Sequence, residues 1–188
     1  MSALSSLVQL DRHIRLHDPL LQAASSLMCE LSNTTGATVL LCRLHDWNVL
    51  CTHEEKGIKE PRHISYERGR AMSLFRGASS RAILASLDIP VVQQIRMRAC
   101  NEIHQAGLPA DEDALFSLLA RWRQQRVVSA CEEVDKGVMA WGVAIKSRSQ
   151  LLGSLSLLLR NDRDAPPPAS DLARRLSGTA LRIEARLE

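Results

Sequence analysis

Apolar residues recur at helical spacing from Leu4 through Leu7, Val8 and Leu10 to Ile14, which predicts a helix over residues 3–17. Asp18-Pro19 then reads as an N-cap followed by proline at the first helical position. A second stripe, Leu20, Leu21, Ala24, Leu27, Met28 and Leu31, runs on until Asn33 to Gly36 end it. The period then changes. Thr38 to Leu44 is β-branched and apolar, Asp46-Trp47-Asn48 is a turn, and Val49 to His53 is the returning strand. The charged run Glu54 to Arg62, with Gly57 and Pro61, reads as a solvent loop, and His63 to Glu67 as another short strand. Arg70 to Phe75 alternates too weakly to be a clear strand.

Small residues Gly77-Ala78-Ser79-Ser80 lead into Arg81 to Leu87, apolar at helical spacing, with a serine as the expected N-cap. Asp88-Ile89-Pro90 starts a helix expected to run to about Gln105, where Ala106 to Pro109 break the pattern. Asp111 to Gln125 is strongly amphipathic, with Ala114, Leu115, Leu118, Leu119 and Trp122 on one face and Trp122 in a core or interface. Arg126–Glu133, Gly137–Lys146 and Leu151–Leu159 are three strands; the polar turn Ser147 to Gln150 makes the last two antiparallel. Asn161 to Pro168, with three prolines, is a surface loop. Ser170 is the expected cap of a final helix, Asp171–Leu187, whose Arg174, Arg175, Arg182 and Arg186 read as a solvated face. This order of elements predicts an α+β domain built on an antiparallel sheet.

Composition adds exclusions. The 188 residues suffice for one sizeable core, and a net charge of +3 spread along the chain does not by itself imply nucleic-acid binding. Aromatic residues make up 3%, too few for a base-stacking surface. No apolar run approaches the length of a membrane span, and the first seven residues lack the marks of a signal peptide. Five cysteines in no close pairs give no disulfide framework, so a reducing, cytoplasmic setting is expected.

Candidate chemistry is sparse. His13 and His17 lie four apart without a third ligand, and Cys42, His45, Cys51 and His53 match no metal-ligand spacing, so neither set is read as a metal site and no cofactor is expected. Glu132, Glu133 and Asp135 read as loop-capping or solvated charges, because neighbours on a strand point to opposite faces. The helix start at Ala78-Ser79-Ser80 presents free N–H groups of the kind that bind a small carboxylate or phosphate. A capped helix with nothing bound is the simpler reading of that stretch alone.

Two separated stretches resemble one family. Gly69-Arg70 with Ala78-Ser79-Ser80-Arg81-Ala82-Ile83-Leu84-Ala85 is similar to the segment of IclR-type transcriptional regulators written G-x-x-x-P-x-x-x-x-A-x-G-K-A-x-L-A. Glu132 to Val138, Gly142-Val143-Ala144-Ile145 and Gly153 to Leu157 resemble its D-x-E-E…G-x-x-x-x-A-x-P-V…A-A-x-S-V run, and Leu118…Arg121-Trp122-Arg123 resembles the helix end before it. The resemblance covers about residues 18 to 187. It implies an effector-binding domain over 18–188 with a GAF-like central antiparallel sheet, residues 1–17 being the remnant of an interdomain linker helix. It also implies a homo-oligomer, dimer or tetramer, and a pocket for a small-molecule effector, an organic or aromatic acid or a more apolar metabolite. The pocket positions carried over are Ala78, Ser79, Ala130, Ala140, Ser156 and Leu158.

The departures are Ser73 for the family's proline, Ser80-Arg81 for its Gly-Lys, and Ala130, Ala140 and Leu158 where it has acidic or polar groups. A lining with few polar anchors implies a larger or more apolar ligand, or an empty pocket. The family's winged helix-turn-helix has no counterpart in the seventeen residues before Asp18, so contact with DNA is expected only through a unit absent from this chain. An enzyme is not expected. The competing readings are a thiol-dependent enzyme on the same fold, using Cys42, Cys51 or Cys131, and a dimerisation module with a vestigial pocket.

Overall fold

The computed structural model describes residues 3–59, 61, 64–162 and 168–188. Two helices open the chain, α1 (Ala3–His17) and α2 (Pro19–Thr35). Asp18 caps α2 as expected, its carboxylate accepting from Leu20 N at 3.0 Å, and Gly36 ends the helix in the left-handed conformation, φ 71°. β1 (Thr38–His45) and β2 (Asn48–Glu55) form the expected hairpin, and β3 (Ala71–Ser73) adds a three-residue edge strand. Then come α3 (Ala78–Ser86), α4 (Ile89–Arg98), α5 (Cys100–Gln105), α6 (Glu112–Gln125), β4 (Val127–Cys131), β5 (Val138–Ser147), β6 (Gln150–Arg160) and α7 (Ala169–Ala185).

The strands form one six-stranded sheet in the order β3-β2-β1-β6-β5-β4, with every neighbouring pair antiparallel. The α+β architecture is the expected one. Alternation along the strands assigns the two faces. Val39, Leu41, Val143, Leu155 and Leu157 pack against α2 and α7, while Leu40, Cys42, Val128 and Leu158 join the core under α3, α4 and α6.

Several expectations are corrected. Ile64 to Glu67 is not strand, and His63 lies outside the described residues, as does most of the proline loop. The helix from Ile89 breaks at Ala99 (φ −125°, ψ 33°), so its second half is a separate element packing Ile103 into the core. On α6, Leu115, Leu119 and Trp122 are buried, but Ala114 is exposed. Neither Ser79 nor Ser80 caps α3; Gly77 stands at that position with no side-chain bond. Pro168, not Ser170, precedes α7. The arginines of α7 are not simply solvated: Arg182 makes two 2.9 Å bonds to Glu30, Arg186 donates to Ala23 O and Ser26 Oγ, and Arg174 and Arg175 pair with Asp171.

Candidate functional site: a cavity beneath the α3 N-terminus

α3 lies against β5 and β6, and glycines let it come close. A Cβ on Gly142 would stand 2.3 Å from Ala78 O and 3.0 Å from Ser79 N, so the first turn of α3 rests on bare β5 backbone. Gly77 itself adopts φ 86°, ψ 159°, a conformation open essentially to glycine, and a Cβ there would meet the Tyr66 hydroxyl at 2.3 Å. The serines that sequence assigned to capping reach elsewhere. Ser79 Oγ bonds Ser156 Oγ at 2.7 Å, and Ser80 Oγ donates to Ser73 O at 2.7 Å.

Charge holds both ends of α3. At its N-terminus, Gly77 N donates to Glu133 Oε2 at 3.2 Å, and Arg81 Nη1 lies 2.6 Å from Glu133 Oε1. The carboxylate therefore meets the positive end of the helix dipole and a guanidinium together. That guanidinium lies over the Trp122 ring, 5.0 Å from its centroid. At the C-terminus, Arg123 donates to the carbonyls of Ala85 and Leu87, the latter at 2.8 Å. The reading of Glu133 as a solvated or loop-capping charge is corrected in its first half. β4 ends at Cys131 and Glu132 turns the chain at φ 54°, so Glu133 no longer obeys strand alternation.

Beneath this helix start is a cavity of about 20 Å³, room for roughly one water. All six positions carried over from the family line it: Ala78, Ser79, Ala130, Ala140, Ser156 and Leu158. Register explains the convergence. Ala130 pairs with Ala140 and Ala140 with Leu158, one row across β4, β5 and β6, while Ser156 opposes Gly142 in the next row on that face. Tyr66, Gly77, Glu133, Val134, Asp135 and Val138 complete the wall.

Sequence reasoning missed Tyr66 and the role of Glu133 and Asp135. Tyr66 donates to Arg76 O at 3.2 Å, and burial raises its phenol far above the ordinary range. Asp135 accepts from Ser65 N at 2.8 Å and from Ser65 Oγ, fastening the segment before Tyr66 to the turn after β4. These contacts span some seventy residues of sequence, beyond any local pattern.

The thiols lie in unlike surroundings. Cys42 and Cys51 face each other across β1 and β2, fully buried, whereas Cys131 is exposed. The hydrogen bond with Cys51 and burial push the Cys42 thiol well up, the direction opposite to activation. The same hydrogen bond lowers Cys51, but its thiol bonds His53 O, and the His53 ring is engaged with Glu55 at 2.9 Å. His13 and His17 stack on each other, and among the described residues no three His, Cys, Asp or Glu are grouped to hold a metal ion.

Two other surface features stand out. A larger hollow of about 420 Å³ at the β3 edge has Trp47, Phe75, Ile95 and Arg98 among its walls, with Arg98 over the Trp47 ring at 5.9 Å. On α1, Leu4, Leu7, Val8, Leu10 and Ile14 are all more than half exposed. Among the described residues no helix is long and apolar enough to cross a membrane.

No match is found among curated proteins. Solved structures do match. The Thermotoga maritima IclR superposes with a TM-score of 0.83 at 16% identity, over 97% of this chain and 74% of that one. The C-terminal domain of the E. coli transcriptional regulator KdgR gives 0.71 at 21% identity, over 90% and 98%. Pseudomonas aeruginosa HmgR gives 0.75 at 17%, over 97% and 72%. At such identities these likenesses speak for the fold. The family is fixed by sequence: the profile described as "Bacterial transcriptional regulator IclR C-terminal" matches residues 15–184, and the chain belongs to that family.

Proposed function

We propose that this chain is the effector-sensing and oligomer-forming part of an IclR-type transcriptional regulator, and that a small organic molecule binds in the cavity under α3. The observation that carries the reading is the meeting of all six motif-derived positions around one cavity. At about 20 Å³ the cavity has room for about one water. A metabolite enters when the Tyr66 segment and the turn at Glu133–Asp135 separate, which breaks the Ser65–Asp135 bonds and frees Gly77. Ligand binding is thereby coupled to the position of α3. DNA contact is assigned to a unit outside these residues.

The test is a thermal-shift screen of metabolites against the wild type and an Ala140→Leu variant, in which the added side chain fills the cavity floor. A ligand bound only by the native state raises Tm with concentration. The reading expects such stabilisers for the wild type and none for Ala140→Leu. Equal stabilisation of both excludes the cavity. The exposed stripe of α1 supports the oligomeric half of the proposal, with α1 acting as a linker helix before a domain that starts at Asp18. A Leu7→Glu, Ile14→Glu variant is expected to lower the mass measured by light scattering, and an unchanged mass counts against α1.

A further inference from the structure

β1 and β2 set two thiols against each other in the core. Cys42 and Cys51 are register partners at 0% and 1% exposure, so their side chains leave the same face of the sheet. Opposed residues of an antiparallel pair have Cα atoms about 4.5–5.5 Å apart, inside the roughly 4.4–6.8 Å that a disulfide spans. The two sulfurs already share a hydrogen bond, and Ser79 of α3 makes a second one to Cys42. The row continues onto β6, where Ser154 opposes Cys42. Its hydroxyl is buried with no hydrogen-bond partner among the described residues, so it is free to donate to a sulfur anion formed beside it. On the other side the cover is thin. β3 pairs with β2 only at Asn48, Val49 and Leu50, stopping one residue short of Cys51, and the register then skips Thr52.

We propose that Cys42 and Cys51 are a reversible disulfide site closed by a peroxide, and that its closure is felt at α3 through Ser79. The inference stands apart from the effector reading, since the pair is modified and turns nothing over. Cys51 is the attacking sulfur: the hydrogen bond from Cys42 favours its thiolate, while the same bond and burial keep Cys42 protonated. Hydrogen peroxide reaches Cys51 when the three-residue β3 edge opens. The Cys51 thiolate takes one peroxide oxygen, the S–O bond forming as the O–O bond breaks, and the hydroxide released leaves as water with the proton Cys51 gave up. Cys42 then attacks the Cys51 sulfur. The S–S bond forms, the S–O bond breaks, and the hydroxyl group leaves as a second water with the Cys42 proton. Ser79 and Ser154 donate to the Cys42 sulfur as that proton departs. Both thiols are oxidised, one peroxide is reduced to water, and an added dithiol reverses the change by exchange. Drawn toward β2 and without its S–H, the Cys42 sulfur gives up Ser79, which leaves the first turn of α3 on the Ser156 bond alone.

The experiment uses a Cys29→Ser/Cys100→Ser/Cys131→Ser background, which removes the exposed thiols and keeps the pair. Wild type with those three thiols blocked by N-ethylmaleimide gives the same readout should the variant not fold. The folded protein is treated with hydrogen peroxide, then measured by intact mass, by a non-reducing digest and by amide NMR. The expected result is the loss of two hydrogens, a Cys42–Cys51 linked peptide, recovery with dithiothreitol, and shifts at Ser79 and Ser156 that follow the oxidation. In the same background, Cys42→Ser is expected to gain oxygen at Cys51, and Cys51→Ser to stay reduced over the same exposure; the reverse pattern overturns the order of attack. Thiols that stay reduced in the folded protein while the guanidinium-unfolded chain oxidises overturn the site, as does oxygen added to the sulfurs without a link. A link that leaves Ser79 unshifted overturns the coupling to α3 while the disulfide site stands.

Discussion

The two faces of the sheet are sealed by different means. Toward α2 and α7 the seal is aliphatic: Leu20, Leu27, Leu31, Leu155, Leu157, Leu172 and Leu176 interlock with Trp141. Its buried polar exceptions are few, and surface pairs such as Arg182–Glu30 merely fringe it. Toward α3 the helix rests on glycine backbone at Gly142, exchanges hydroxyl bonds with the sheet, and is pinned by Glu133 at one end and Arg123 at the other. Dense apolar packing tolerates no gap and moves as a unit. Polar tethers over a small cavity can be exchanged for a ligand's contacts. Both faces hold an apolar core, and the α3 face adds a small cavity bordered by polar tethers.

Substitutions on each face sharpen that contrast. The largest effect is expected from Leu176→Ala, at 0% exposure, which should cost about 2–5 kcal/mol in denaturant unfolding and leave α3 in place. Gly142→Ala forces a methyl against Ala78 O and should cost about 1–3 kcal/mol, with NMR shifts concentrated on α3. Equal shifts on α7 would argue that the faces are not separable. Ser79→Ala strands the buried Ser156 hydroxyl and is expected to cost about 1–3 kcal/mol.

Tyr66→Phe should cost about 1 kcal/mol at neutral pH. Because burial raises the folded phenol above its unfolded value near 10, the stability it contributes is intact below about pH 10 and is lost as pH rises further. The alkaline limb of a Tm–pH curve should therefore be shallower in Tyr66→Phe than in the wild type. Smallest of all, Glu30→Gln on the aliphatic face removes a solvent-exposed pair and is expected to leave Tm unchanged within error at physiological salt.

The aliphatic face was largely legible in the sequence. The stripe from Leu20 to Leu31, the strand alternation and the Asp18-Pro19 cap are local patterns, and each element they predicted is present. The α3 face was legible only in part. Its six lining positions followed from motif resemblance, but the identity of the group at the α3 N-terminus did not. Local rules assigned Ser79 or Ser80 to the cap and read Glu133 as a loop-capping or solvated charge. The fold instead gives Gly77 to Glu133 across 56 residues, a pairing fixed by the left-handed turn at Glu132 and the reach of Arg81. Arg182 and Arg186 were misread for the same reason, their partners lying on α2. The break at Ala99 has no glycine or proline to announce it.

The central claim is that the cavity beneath α3 receives the effector. Native mass spectrometry of the purified chain, run beside the Ala140→Leu variant, tests it most directly. A non-covalent species of metabolite size is expected on the wild type and none on the variant. An adduct retained by both proteins would contradict it, since the molecule would then sit elsewhere, the Trp47–Arg98 hollow being the first place to look.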